Sequence, residues 1–239
     1  FLKYELDNYL SQRGNETREE LPLYRVENQP YIHYRKGAVV MYALQDYVGE
    51  DAVNRALARL VETFEYQSDP YPTTLDFLRL LREEAGPEHE RIIHDFFERI
   101  VLFDLSVTEA EVREIENGRF ETTMTVEARL FEADGAGNET EEPIDYVIDI
   151  GAFSRGLDGA LDGTDHILHF ERTRISENET SFTFTTDVRP AWVGIDPYNK
   201  LIDRNSDDNL LRPDFVAADE TPEGEDVDEE ADTAALVME

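Results

Sequence analysis

The chain has 239 residues, 40% of them hydrophobic, enough for one large domain or two ordinary ones around a packed core. Its net charge of −33 sets aside nucleic acid and anionic lipid as partners. The absence of cysteine excludes disulfide frameworks and thiolate metal sites, and no apolar run approaches the roughly 20 residues that a bilayer helix needs.

No signal peptide is visible, and the opening on Phe1 rather than Met reads as a segment of a longer protein. Lysine occurs only at Lys3, Lys36 and Lys200, while residues 214–239 carry 11 acidic side chains and no basic one. An acid-rich, lysine-poor surface is compatible with a high-salt habitat, where ions screen the self-repulsion. An arginine-biased genome and an acidic tail would leave the same composition.

Residues 1–104 read as helices. Leu2, Leu6, Tyr9 and Leu10 share one face of an opening helix that Gly14 can end. Residues 15–30 are polar and proline-containing, hence a loop. From Tyr31 to Val48 apolar residues recur at helical spacing, and Gly49 stops the run. Asp51 is expected to cap the next helix, with Val53, Leu57, Leu60, Val61 and Phe64 inward. Pro70-Tyr71-Pro72 forces a turn. Thr73 and Asp76 resemble a capping box for a helix to about Glu84, and Gly86-Pro87 breaks it before another helix ending near Ile100.

From about Leu105 the period changes to two. Asn117-Gly118 between two extended runs signals a hairpin. Met124, Val126, Ala128 and Leu130 alternate after it, as do Ile144, Tyr146, Ile148 and Ile150. Residues 134–142 read as a polar turn and 155–165 as a Gly/Asp loop. Further strands are expected at 167–173, 181–187 and 191–195. The predicted class is α+β: a layered helical domain over 1–104, an antiparallel, immunoglobulin-like β-sandwich over 105–205, and a largely disordered acidic tail over 206–239.

The five histidines offer no zinc signature. His89 and His94 are five residues apart, about 140° round a helix, whereas His-Glu-x-x-His places its pair about 40° apart. His166 and His169 would fall on opposite faces of a strand. Asp203, Asp207 and Asp208, with Asn205 and Asn209, are dense enough in oxygen for Ca²⁺, but they lack EF-hand spacing, and a hydrogen-bonded loop at the sandwich end is the simpler expectation. Asn15, Asn138 and Asn178 each begin an Asn-Glu-Thr triplet, a glycosylation acceptor only in an exported chain. No phosphate loop or nucleophile elbow stands out, so the residues by themselves offer no complete active site.

The run Tyr31-Ile32-His33-Tyr34-Arg35-Lys36-Gly37-Ala38 resembles the Tyr-x-Lys-Gly stretch of gluzincin zinc aminopeptidases of the aminopeptidase N type, at a helix start that leads to a Gly-acidic turn at Gly49-Glu50-Asp51. Thr73 to Leu78 resembles that family's next helix start. Residues 26–34 and 194–205 are similar to a branch in which an ABC-transporter-like permease region is fused to the aminopeptidase part. The resemblance covers about residues 1–205 and implies that the chain is the C-terminal part of such an enzyme.

It implies that Tyr34 is catalytic, its phenol donating to the oxyanion that forms as the peptide carbonyl is attacked, and that Tyr31 lines the same substrate pocket. Lys36 and Gly37 read as structural, Gly37 allowing close helix approach. Zinc, its two His and one Glu ligands and the Glu general base are expected upstream of Phe1, so no metal ligand is assigned in this chain, which alone should hydrolyse nothing. The implied partners are a peptide substrate, the zinc-bearing region and a membrane permease region. The parent would be membrane-associated and this segment itself soluble. Two other functions compete: a non-catalytic peptide- or partner-binding module beside a transporter, and a structural spacer.

Overall fold

The structure, a computed structural model, describes residues 1–157 and 164–217. Among these residues five α-helices precede nine strands. α1 (Leu2–Asn15) buries Leu2, Leu6 and Tyr9 on its expected face. A single 3₁₀ turn, Leu23–Arg25, interrupts the polar loop after it. The next run is split: Tyr31–Lys36 forms a π-helical turn that feeds directly into α2 (Gly37–Val48). Gly49 ends α2 at φ 105°, a conformation that only glycine adopts without strain.

Gly49 is also the N-cap of α3 (Glu50–Phe64), so Asp51 lies in the first helical turn rather than capping it. The apolar face expected for α3 is largely outside: Leu57 and Val61 are exposed, while Ala52, Val53 and Ala56 are buried. The reason lies in its partner. α3 packs on α4 (Thr74–Ala85) through small residues, and Arg55 and Arg59 on that side reach Glu84 at 2.7 and 2.6 Å. The capping box of α4 is present, with the Thr73 N–H donating to Asp76 Oδ2 at 2.9 Å. Thr73→Ala is expected to cost about 1 kcal/mol, a fall of roughly 2–4 °C in melting temperature. Calorimetry that shows no change would deny that the cap matters. A 3₁₀ turn at Pro87–His89 leads to α5 (Glu90–Phe97), which buries Ile92, Ile93, Phe96 and Phe97.

β1 (Val101–Ile115) starts four residues before the change of period. Val101, Leu102 and Phe103 are consecutively buried, on both faces of the strand, so no alternation marks them. Asn117, at φ 66°, turns the chain into β2 (Arg119–Ala133). Met124, Val126, Ala128 and Leu130 are fully buried there, as the alternation predicts. β3 (Glu139–Glu142) is a strand where a polar turn is expected; this all-polar edge segment pairs with Leu130–Ala133. β4 (Tyr146–Phe153), β5 (Ile167–Ile175), β6 (Glu179–Thr186) and β7 (Trp192–Ile195) follow. The expected loop over 155–165 falls partly outside the described residues.

Two more strands lie in the segment expected to be disordered. β8 (Leu210–Leu211) pairs with β7, and β9 (Asp214–Val216) pairs with β1 in parallel, a departure from an all-antiparallel sandwich. Residues 206–217 are therefore part of the fold, and the expected disorder of 218–239 lies outside the described residues. One sheet runs β3-β2-β1-β9, with β6 also on β2; the other runs β5-β4-β7-β8. A single apolar cluster joins Leu6, Leu44, Leu81 and Ile93 of the helices to Phe103, Met124 and Ile148 of the sheets.

Candidate functional site

Tyr34 sits on the π-helical turn. Pro30 opens this turn in helical conformation, and the Gln29 carbonyl accepts from the N–H groups of Ile32 and His33 at 3.0 and 3.3 Å. Such turns recur at functional positions because the extra residue re-aims side chains. Here it separates the two tyrosines. Tyr31 points inward, 4% exposed, stacked on Tyr9 with ring centroids 6.0 Å apart. Tyr34 points outward, 69% exposed, its ring tilted against His33 at 4.5 Å. Both border a groove of about 380 Å³ between α1 and the turn, together with Glu5, Gln12, Pro30 and Arg35. Burial pushes the Tyr31 phenol up to about 12, so it remains a neutral donor at any physiological pH.

The turn is fastened on both sides of Tyr34. Arg35 Nη1 donates to both carboxylate oxygens of Glu5, at 3.1 and 2.8 Å, and its guanidinium lies over the Tyr4 ring. Lys36 is buried, 5.5 Å above the Tyr9 ring and 3.9 Å from Glu20 Oε1. Burial lowers its ammonium to about 8. Glu20 in turn accepts from the Tyr9 hydroxyl and from Arg13 Nε at 2.6 Å. At Gly37 an added methyl would meet the Ile32 carbonyl at 3.6 Å and Leu23 at 3.8 Å, ordinary contacts, so close helix approach does not require glycine there.

The histidines are dispersed. His89 Nδ1 lies 2.8 Å from the Ala85 carbonyl and His94 Nδ1 2.9 Å from Glu98. His166 stacks on Phe153 and His169 on Phe184. Among the described residues, no three His, Asp or Glu side chains are grouped so as to hold a metal ion. The described side chains do not fit a zinc centre.

A second constellation escaped sequence reasoning. Lys200 Nζ donates to Asp46 of α2 at 2.8 Å and to Asp149 of β4 at 2.7 Å. Arg172 of β5 donates to the same two carboxylates, its Nε reaching Asp149 at 2.7 Å. The rarity of lysine in so acidic a chain was the available signal. This network closes one side of a groove of about 800 Å³ that Tyr42, Phe170, Trp192 and Tyr198 also border.

Two carboxyls beside it are buried and, among the described residues, have no cationic partner. Asp196 accepts from the N–H groups of Lys200 and Leu201 at 3.0 and 2.9 Å, yet burial pushes it up to about 8. Burial likewise pushes Asp203 up to about 7. Both hold protons in the folded chain at pH values where the unfolded chain, with an ordinary value of about 3.9, has lost them. Their contribution to stability therefore falls as pH rises from about 4 toward 8. Lys36 acts oppositely, and only above about 8. In EDTA the melting temperature is expected to be higher at about pH 5.5 than at about pH 8, with a smaller difference in Asp203→Asn. Equal temperatures in the unsubstituted chain would contradict the buried, proton-holding carboxyls.

No family model matches the sequence, and no curated protein matches it.

Proposed function

We propose that this chain is the C-terminal part of a zinc aminopeptidase-like protein, contributing a cleft wall and the oxyanion-stabilising phenol of Tyr34 to peptide-bond hydrolysis. The observation that carries this reading is an aromatic hydroxyl side chain held outward on a fastened π-helical turn, within the run that resembles Tyr-x-Lys-Gly. A neutral phenol donates at pH 7, and one donor aimed at developing negative charge contributes roughly 3 kcal/mol to transition-state stabilisation. In this reading the resemblance, not the residues described, supplies the zinc and its ligands, which would come from another region of the longer protein. The chain alone is then inactive. Association of the parent with a membrane permease region belongs to the same proposal; among the described residues no helix is long and apolar enough to cross a membrane.

A second reading, a non-catalytic peptide-binding module, draws on the groove of about 800 Å³, whose aromatic border of Tyr42, Phe170, Trp192 and Tyr198 suits apolar side chains. Hydrolysis of an aminoacyl-p-nitroanilide panel by the longer, zinc-supplied protein and by its Tyr34→Phe form separates the two. No turnover in a well-folded longer protein would favour the binding module.

A further inference from the structure

The loop from Asp203 to Asn209 is tied along one edge of β1. The Phe103 carbonyl accepts from Arg204 N at 2.9 Å, the Leu105 N–H donates to Asp203 Oδ1 at 3.4 Å, and the Val107 N–H donates to the Asp208 carbonyl at 3.0 Å. Leu105 and Val107 are about 7 Å apart along an extended strand, so Asp203 and Asp208 are brought close together. Asn205 clamps both. Its N–H donates to Asp203 Oδ1 at 3.2 Å and its Nδ2 to Asp208 Oδ2 at 2.5 Å.

One oxygen of each carboxylate remains. Among the described residues Asp203 Oδ2 and Asp208 Oδ1 are buried without a well-formed hydrogen bond, and so are both amide atoms of Asn209, although the Asn209 side chain lies near enough to the Asp203 carboxyl to favour its charged form. Asp203 is 0% and Asn209 1% exposed. Buried polar side chains are ordinarily partnered, so three left this way in one short loop call for a ligand. Nearby cations are turned elsewhere. Lys3 pairs with Asp207 at 2.8 Å, and the Arg204 guanidinium reaches Glu139 and lies over the Phe131 ring. Among the described residues neither Asp203 nor Asp208 has a salt bridge.

We propose that the 203–209 loop binds a hard divalent cation of the Ca²⁺ type, through Asp203 Oδ2, Asp208 Oδ1 and Asn209 Oδ1. Two carboxylates and an amide oxygen form an all-oxygen set suited to Ca²⁺, which completes its shell with carbonyls or water, and unsuited to Zn²⁺, which prefers nitrogen and sulfur. The proposal is independent of the reading of Tyr34. Its consequence is structural: the Asn209 carbonyl accepts from Ile195 N of β7 at 3.0 Å, and β8 begins at the next residue. A cation in this loop fastens the segment that seats β8 and β9 on the two sheets.

The test uses the full 239-residue chain, stripped with EDTA and titrated with CaCl₂ by calorimetry and thermal melting. At a concentration about a hundredfold above Kd, Ca²⁺ is expected to raise the melting temperature by roughly 5–10 °C. Asp203→Asn and, as a less buried alternative that tolerates substitution better, Asp208→Asn each weaken binding at least about tenfold. Asp207→Asn, outside the set, leaves Kd within about twofold. A melting temperature that responds to CaCl₂ no more than to NaCl of equal ionic strength overturns the proposal. A Ca²⁺ response retained in both Asp203→Asn and Asp208→Asn overturns it equally.

Discussion

Tyr34→Phe, in the longer protein that supplies the zinc-bearing region, is expected to lower kcat for aminoacyl-p-nitroanilides by two or more powers of ten, a loss of roughly 3 kcal/mol of transition-state stabilisation. The melting temperature should not move, because the side chain is 69% exposed and its removal of one hydroxyl leaves no buried partner unsatisfied. The combination is the informative part. A donor that acts only on the developing oxyanion lowers kcat and kcat/KM together. A rise in KM with kcat unchanged would instead assign Tyr34 to ground-state substrate binding. Turnover within about twofold of the unsubstituted protein would remove Tyr34 from the chemistry and leave the chain as a wall or spacer.

The largest stability effect is expected at Asp149. Its side chain is 1% exposed on β4 and accepts from Arg172 and Lys200, while Asp46 of α2 shares both cations. Burial works to raise this carboxyl, but the hydrogen bonds and charges of Arg172 and Lys200 outweigh it and hold it below the ordinary carboxylate range. Asp149→Ala leaves two cations facing one partly exposed acid. Stranding a buried charge in this way costs about 3–5 kcal/mol, or about 10 °C in melting temperature for a chain of this size. Asp46→Ala should cost less, since its side chain is 31% exposed and water can replace it. Equal losses from both would place the stabilising power in the helix–sheet contact rather than in the buried carboxylate.

The pH dependence of the Asp149 contribution follows from the direction of its shift. A depressed carboxyl contributes fully above the unfolded value of about 3.9 and loses its contribution as pH falls through its lower folded value. Its effect is confined to strong acid. Asp196 and Asp203 act between about 4 and 8, in the opposite direction. The two groups of acids are therefore separable in one pH series.

Local chemistry made much of the fold legible. Gly49 and Gly86 stop helices because they take positive φ, and Thr73 with Asp76 caps α4. Asn117-Gly118 turns the hairpin, and the alternation in β2 marks its buried face, whereas β4 is buried almost throughout. Each of these signals acts over a few residues. The candidate role of Tyr34 rests on a resemblance to a known motif, because a tyrosine at a helix start has many ordinary uses.

What the tertiary structure decided depends on partners distant in sequence. The start of β1 is hidden by burial on both faces, and β3, β8 and β9 are short strands whose hydrogen bonds come from β2, β7 and β1. The buried face of α3 follows α4, not its own apolar stripe. The opposite orientations of Tyr31 and Tyr34 come from a π-helical turn fastened by Glu5 and Glu20, residues that spacing alone does not connect to it. The carboxylates of Asp46 and Asp149 converge only when α2 and the second sheet close on one core, since electrostatic contact requires proximity that chain order does not encode.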